Sequence, residues 1–228
     1  FRLQESNAFI QAMGQEFSRA VWYGDTGDNP KEIMGLAKRY ADLGGAKSKY
    51  IIDAGDTGNT NASMWLIPHS TDAYFGVVPK NGKVGLVHTP SGVIDLEGEN
   101  EKGEKGTYRG YRDRFEWQVG VCLKDYRQVV RAANIDVTLL PTFGTASDQA
   151  ANLLDIVNAM TNRVQDLSMG RPVIYMNRTL KEYWEKQLIK THYIEKSIEQ
   201  ATGKITTSYK GIPIHIDDSL LDTEERVV

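Results

Sequence analysis

The residue types that do chemistry in proteins are all present in this chain, but their spacing suits turns and strands better than a reactive centre. Four histidines, His69, His88, His192 and His215, lie far apart. No two stand at the three- or four-residue step that puts a pair of metal ligands on one helical face. The one cysteine, Cys122, falls in a β-rich run with no histidine near it in sequence, so it reads as a small packing residue rather than a nucleophile. Asp25-Thr26-Gly27-Asp28-Asn29 and Asp53-Ala54-Gly55-Asp56-Thr57-Gly58-Asn59 look superficially like calcium loops. Neither keeps the alternate oxygen ligands and closing glutamate of such a loop, and both read as turns. Gly44-Gly45-Ala46-Lys47-Ser48 offers Lys-Ser after glycines but lacks the earlier glycine of a phosphate loop. Asp217-Asp218 and Glu224-Glu225 are adjacent pairs. On an extended backbone neighbours point to opposite faces, so neither pair can share a proton, and both read as surface. Arg109, Arg112 and Arg114 interleave with Tyr108 and Tyr111, a mixture that can track a nucleic-acid strand. A solvated strand face paired with acidic neighbours explains them as well.

The elements that must position these groups follow from periodicity. Phe9, Met13, Phe17 and Ala20 with Val21 recur at helical steps until Gly24. Asn29 is placed to cap a second helix starting at Pro30 and carrying Ile33, Leu36, Ala37 and Tyr40 as far as Gly44-Gly45. From Tyr50 to about Asp136 the period falls to two. Met64–Ile67, Ala73–Val78, Val84–His88 and Val93–Leu96 predict a meander of short antiparallel strands, and Tyr111–Leu123 predicts one long half-buried strand. The intervening Glu97–Gly106 has no apolar residue and reads as a solvated loop or hairpin tip. After Val137 the pattern is mixed again. Ser147 and Asp148 precede a helical stripe through Leu153, Val157, Met160 and Val164 that ends at Gly170. Pro172–Met176 is a buried strand, Asn177 caps the helix of Leu180, Tyr183, Trp184 and Leu188, and Ile205–Ile216 is a hairpin turning at Lys210-Gly211. Thr191–Gly203 is polar and undecided.

Composition narrows the classes further. The chain has 228 residues, 40% hydrophobic and 25% charged, with 27 Lys and Arg against 30 Asp and Glu. That is long enough for a core without metal or disulfide staples, and a formal net charge of -3 argues against a protein that wraps nucleic acid on a basic face. No apolar run approaches the roughly 18 to 20 residues that span a bilayer.

Several runs carry a resemblance. One is Ala20-Val21-Trp22-Tyr23-Gly24-Asp25-Thr26-Gly27 continuing through Asn29-Pro30 to Met34-Gly35-Leu36. Others are Tyr74-Phe75-Gly76-Val77-Val78-Pro79-Lys80, Phe115-Glu116-Trp117-Gln118-Val119-Gly120-Val121, and Asp125-Tyr126-Arg127-Gln128-Val129-Val130-Arg131 to Asn134-Ile135-Asp136. The last is Tyr209-Lys210-Gly211-Ile212-Pro213-Ile214 to Asp222-Thr223-Glu224-Glu225-Arg226-Val227-Val228. Together they resemble the major capsid proteins of tailed double-stranded DNA bacteriophages with the Hong Kong 97-like fold, in the podovirus-type branch.

The resemblance implies an α+β capsid fold. Residues 1–136 would form a peripheral domain with a β-rich elaboration and residues 137–228 an axial domain, with an N-terminal arm and extended loop expected ahead of Phe1. It implies a coat subunit that self-assembles as pentamers and hexamers into an icosahedral shell around DNA, in a virion built in the host bacterial cytoplasm. Its partners would be copies of itself, scaffold, portal or decoration proteins, and packaged DNA held by weak non-specific contact. Catalytic residues, cofactors, metals and a membrane are not expected. Inter-subunit contacts are expected from the charged segment (Glu99, Glu101, Lys102, Glu104, Lys105), from Arg109, Arg112 and Arg114, and from His192, Glu195 and Lys196 near the presumed capsomer axis. Two other readings compete. An encapsulin-like shell would share the fold and enclose a protein cargo. An α+β enzyme would gather Asp25, Asp28, Asp53 or Asp56 into one pocket.

Overall fold

A strand that alternates apolar and polar residues covers a sheet with one dry face, whereas a strand apolar throughout is covered on both. The run from Met64 to Ile67 is of the second kind, and the computed structural model puts it in the middle of a mixed sheet, in a strand buried from Asn61 to Pro68. The structure describes residues 2–99, 103, 105–145, 148–191, 196–199 and 204–228. Its strands are β1 (Ile51–Asp53), β2 (Asn61–His69), β3 (Tyr74–Val77), β4 (Leu86–Glu99), β5 (Lys105–Trp117), β6 (Gly120–Leu123), β7 (Val130–Asp136), β8 (Arg171–Met176), β9 (Lys196–Glu199), β10 (Lys204–Tyr209) and β11 (Ile212–Ile216). The α-helices are α1 (Arg2–Tyr23), the single turn α2 (Leu36–Arg39), α3 (Leu153–Arg163) and α4 (Arg178–Lys190). They form two compact units: Gly76–Gly120 with Phe1–Ile10, and Gln11–Phe75 with Val121–Val228.

In the larger unit the strands run β1-β7-β2-β8-β11-β10-β9. The β1–β7 and β8–β11 pairs are parallel; β2 is antiparallel to both its neighbours, β7 and β8. Register lines up Ile51, Arg131, Trp65, Tyr175 and His215 across five adjacent strands. The end of α1 and the turn of α2 cover this row: Trp22 lies 5.7 Å from Trp65 and 5.6 Å from Tyr175, and Tyr40 meets Trp65 edge-on at 5.8 Å. Such aromatic contacts add to the gain from burial itself. α3 packs on α4 and over β7 and β1, bringing Leu153, Val157, Met160, Leu180 and Trp184 into the same core. The last residues of the chain are strapped to the sheet. Glu224 N–H donates to the Asn61 carbonyl at 2.8 Å, Leu43 N–H to the Val228 carbonyl at 2.9 Å, and Val227 N–H to Asn134 Oδ1 at 2.8 Å.

The smaller unit is built on β4 and β5, which pair only with each other among the described residues, from Leu86 opposite Trp117 to Glu99 opposite Lys105. No residue of either strand is fully buried. Phe115 is held at the base between His88, stacked at 4.6 Å, and Phe9, 5.7 Å away. Toward the tip the two faces differ. One presents Asp95 opposite Arg109 and Glu99 opposite Lys105, and the other presents Ile94, Leu96 and Tyr108. Gly98 and Gly110 form the floor of that second face. A Cβ on Gly98 would lie 2.7 Å from the Tyr108 ring, and one on Gly110 would lie 2.7 Å from Leu96 Cδ1.

Several sequence expectations are met: the first helix, the strand at Pro172–Met176, the Asn177 cap, whose Oδ1 accepts from Leu180 N–H at 2.8 Å, and the turn at Lys210-Gly211. Both of those turn residues have positive φ, 51° and 79°, as a tight hairpin turn requires. Others are corrected. The helix expected from Pro30 does not form, because Gly24 and Gly35 cross backbone to backbone. Gly35 N–H donates to the Gly24 carbonyl at 2.8 Å, and this holds Gly35 extended, so only Leu36–Arg39 is helical. Asn29 closes a turn on Lys31 N–H instead. Val84–His88 and Val93–Leu96 are not two strands of a meander; a single strand, β4, starts at Leu86 and continues through Val93–Leu96, its register shifting between Pro90 and Val93. The long strand expected over Tyr111–Leu123 begins earlier and breaks after Trp117. α3 begins only at Leu153, with Asn152 as its cap, and it stops at Arg163, short of the expected end at Gly170, because Val164 is already extended; Ser147 lies outside the described residues.

Candidate functional site

Each Asp-rich turn is closed by its own backbone. Asp25 accepts from Gly27 N–H at 2.8 Å, Asp53 from Gly55 N–H at 2.9 Å, and Asp56 from Gly58 N–H at 2.9 Å. These are Asx-type turns, which explains their composition without a ligand. Lys38, 2.9 Å from Asp25, holds that carboxyl below its usual range by a hydrogen bond, with the Gly27 N–H assisting. The Gly44-Gly45 segment is satisfied in the same way. Gly44 N–H donates to Asp42 Oδ1 at 2.7 Å, and Lys47 Nζ is turned onto the Arg39 carbonyl at 2.9 Å. Among the described residues no three His, Cys, Asp or Glu side chains gather in a metal-like group. The pocket that an Asp25, Asp28, Asp53 and Asp56 enzyme would need does not form. A cavity of about 420 Å³ instead lies among α3, α4 and β10, lined by Asn152, Leu154, Asp155, Trp184, Leu188 and Tyr209.

One buried polar cluster was not expected. Glu224, read from sequence as surface, is buried against Arg131: their side chains are 5% and 4% exposed and 2.8 Å apart. Arg131 Nε donates to Ser63 Oγ at 3.1 Å, and Nη1 donates to the Tyr40 and Ala37 carbonyls at 2.8 and 3.2 Å. Its guanidinium also lies 5.2 Å from the centre of the Trp65 ring. Glu224 takes a further hydrogen bond from Ser63 and one from Tyr23 at 2.5 Å. Burial, reinforced by the Glu224 carboxylate, pushes the Tyr23 hydroxyl far above the ordinary tyrosine range, so it stays a donor. These hydrogen bonds all run to other parts of the chain, so the cluster ties α1, α2, β2, β7 and the tail together. The sequence signal for it is Arg131 itself, a lone charge in the run Val129-Val130-Arg131-Ala132-Ala133 that must find a partner if the run is buried.

Of the residues expected at subunit contacts, Glu99, Lys105, Arg109, Arg112 and Arg114 lie on the β4–β5 ribbon. Asp95 and Arg109 pair at 3.3 Å, and Arg114 and Glu116 at 3.1 Å, all open to solvent. Glu99 and Lys105 are opposite each other, and Arg112 is exposed. Tyr108 and Tyr111 are 57% and 65% exposed beside them. Lys196 stands on β9 with Thr207 as its register partner on β10. Glu101, Lys102, Glu104, His192 and Glu195 lie outside the described residues. Exposed pairs of this kind contribute about 0–1 kcal/mol each within a chain, so fold stability does not account for placing so many on one ribbon.

Comparison with known proteins identifies the family. A search of curated proteins finds no match. Among solved structures, a chain of the near-atomic-resolution structure of bacteriophage Epsilon15, derived from cryo-EM, matches over 100% of this chain and 67% of its own length, at 28% identity and a TM-score of 0.65. The model of the family described as major capsid protein GP7 matches residues 1–228. The chain therefore belongs to the GP7 family of phage major capsid proteins, structural coat proteins and not enzymes.

Proposed function

We propose that this coat protein closes as pentamers and hexamers into an icosahedral shell around the double-stranded DNA of a tailed phage, assembled in the cytoplasm of a bacterial host. The observation that carries the reading is the family match along the whole chain; the similarity to a chain of the Epsilon15 particle supports it. Residues 1–136 serve chiefly as the peripheral domain, with β4–β5 as its elaboration, and residues 137–228 as the axial domain. One sheet joins β2 and β7 to β8, so that boundary marks roles in the shell rather than separate folding units. Glu99, Glu101, Lys102, Glu104, Lys105, Arg109, Arg112 and Arg114 contact neighbouring subunits, and His192, Glu195 and Lys196 do so near the capsomer axis. Scaffold, portal and decoration proteins are further partners, and DNA is confined by the wall with only weak contact, as a formal net charge of -3 suits. Electron microscopy of the protein produced alone and with its scaffold tests this: rings, tubes or closed shells are expected, and a protein that stayed monomeric under all conditions would overturn it.

A further inference from the structure

The β4–β5 ribbon has a charge asymmetry across its width. β4 carries Asp95, Glu97 and Glu99 and no lysine or arginine. β5 carries Lys105, Arg109, Arg112 and Arg114 against Asp113 and Glu116. Neither strand has a second neighbour among the described residues, so one open edge is acidic and the other basic. Edge strands often carry charge to keep copies apart. That protection works by putting like charges where two edges would meet, and the two edges of this ribbon carry opposite signs. The ribbon also lacks an interior. A two-stranded hairpin is marginal in water on its own, yet this one has 12 paired positions with Ile94, Leu96 and Tyr108 on one side of its outer half, Tyr108 more than half exposed.

We propose that the ribbon is a head-to-tail contact between copies: the β5 edge of one subunit lies along the β4 edge of its neighbour. Arg109 and Lys105 then face the neighbour's Asp95, Glu97 and Glu99, and the Tyr108 faces of adjacent ribbons form one continuous apolar strip. A contact of this kind uses two different edges, so it propagates around a ring. It rests on the reading of the protein as a self-assembling shell subunit and specifies which surfaces meet.

Mixing two charge variants tests it. In the first, Asp95→Lys, Glu97→Lys and Glu99→Lys make both edges basic. In the second, Lys105→Glu, Arg109→Glu and Arg112→Glu make both acidic. Within either chain the facing strands then repel, so contacts inside one ribbon cannot restore assembly on mixing. Each variant alone is expected to lose assembly, by light scattering and electron microscopy, while keeping the far-UV circular dichroism of the parent. A one-to-one mixture is expected to regain assemblies containing both chains, favouring even-membered rings. Variants that assemble alone as the parent does would overturn the proposal, and so would a mixture of folded variants that stays unassembled. Failure of the parent itself to assemble would instead count against the shell reading.

Discussion

Replacing Arg131 by Met would leave the Glu224 carboxylate buried with only the Ser63 and Tyr23 hydroxyls as donors and would strip the Ala37 and Tyr40 carbonyls of theirs. Removing one partner of a buried pair costs about 3–5 kcal/mol, because the remaining charge is left uncompensated. For a chain of this size each kcal/mol moves Tm by roughly 2–4 °C, so the expected loss is about 6–20 °C. Urea unfolding followed by tryptophan fluorescence is a direct assay, since Trp65 sits against the guanidinium and Trp22 against Trp65. The cycle is completed by Glu224→Met and the double variant. Two apolar side chains in contact remove both the charge and its solvation cost, so the double variant should be more stable than Arg131→Met alone. A loss under about 1 kcal/mol for the single variant, or strict additivity in the double, would refute the pairing.

The remaining predictions concern other parts of the larger unit. Burial, with His215 assisting, depresses the pKa of His69 below its ordinary 6.5, and its Nε2 lies 2.8 Å from the Tyr175 hydroxyl. The folded state takes up this proton less readily than the unfolded one, so its contribution is full above pH 6.5 and is lost as pH falls through that value toward the lower folded pKa. Thermal melts between about pH 7.5 and pH 5 should therefore show a steeper loss in the parent than in His69→Gln; parallel curves would contradict it. Gly24→Ala puts a Cβ 2.1 Å from the Ile33 carbonyl oxygen and Gly35→Ala puts one 2.6 Å from that of Trp22, and each should cost about 1–3 kcal/mol in denaturant titration. Gly14, inside α1 with nothing within 4 Å of an added Cβ, should instead gain about 0.5–1 kcal/mol as alanine. Asn134 has φ 58° and clamps Val227 at both its N–H and its carbonyl. Asn134→Ala, which keeps the strained backbone, should be less stable than Asn134→Gly by about 1–2 kcal/mol, and both should speed proteolysis of the C-terminal tail.

What could be read from the sequence was local. The stripe of α1, the Asn177 cap and the Lys210-Gly211 turn each depend on residues within a few positions of one another, and the structure keeps all three. The misreadings come from contacts between distant positions. Pro30 and Asn29 have helix-starting chemistry, but the Gly24–Gly35 crossing overrides it. Glu224 sits in a polar tail, and only the arrival of Arg131 from 93 positions away makes it interior.

The ribbon carries the same lesson one level further. From Gly92 to Glu99 exposure alternates residue by residue, half-buried at even positions and open at odd ones, the pattern of a strand with one face against something. Among the described residues of the ribbon, what lies behind that face is its own second strand, with Tyr108 and Leu96 laid over Gly98 and Gly110. On the proposed contact between ribbons, that half-buried face is the one a neighbouring copy would extend. No single-chain criterion of burial could have ranked Asp95, Glu97 or Arg109 above other exposed charges; the criterion that does is the opposite sign of the ribbon's two open edges.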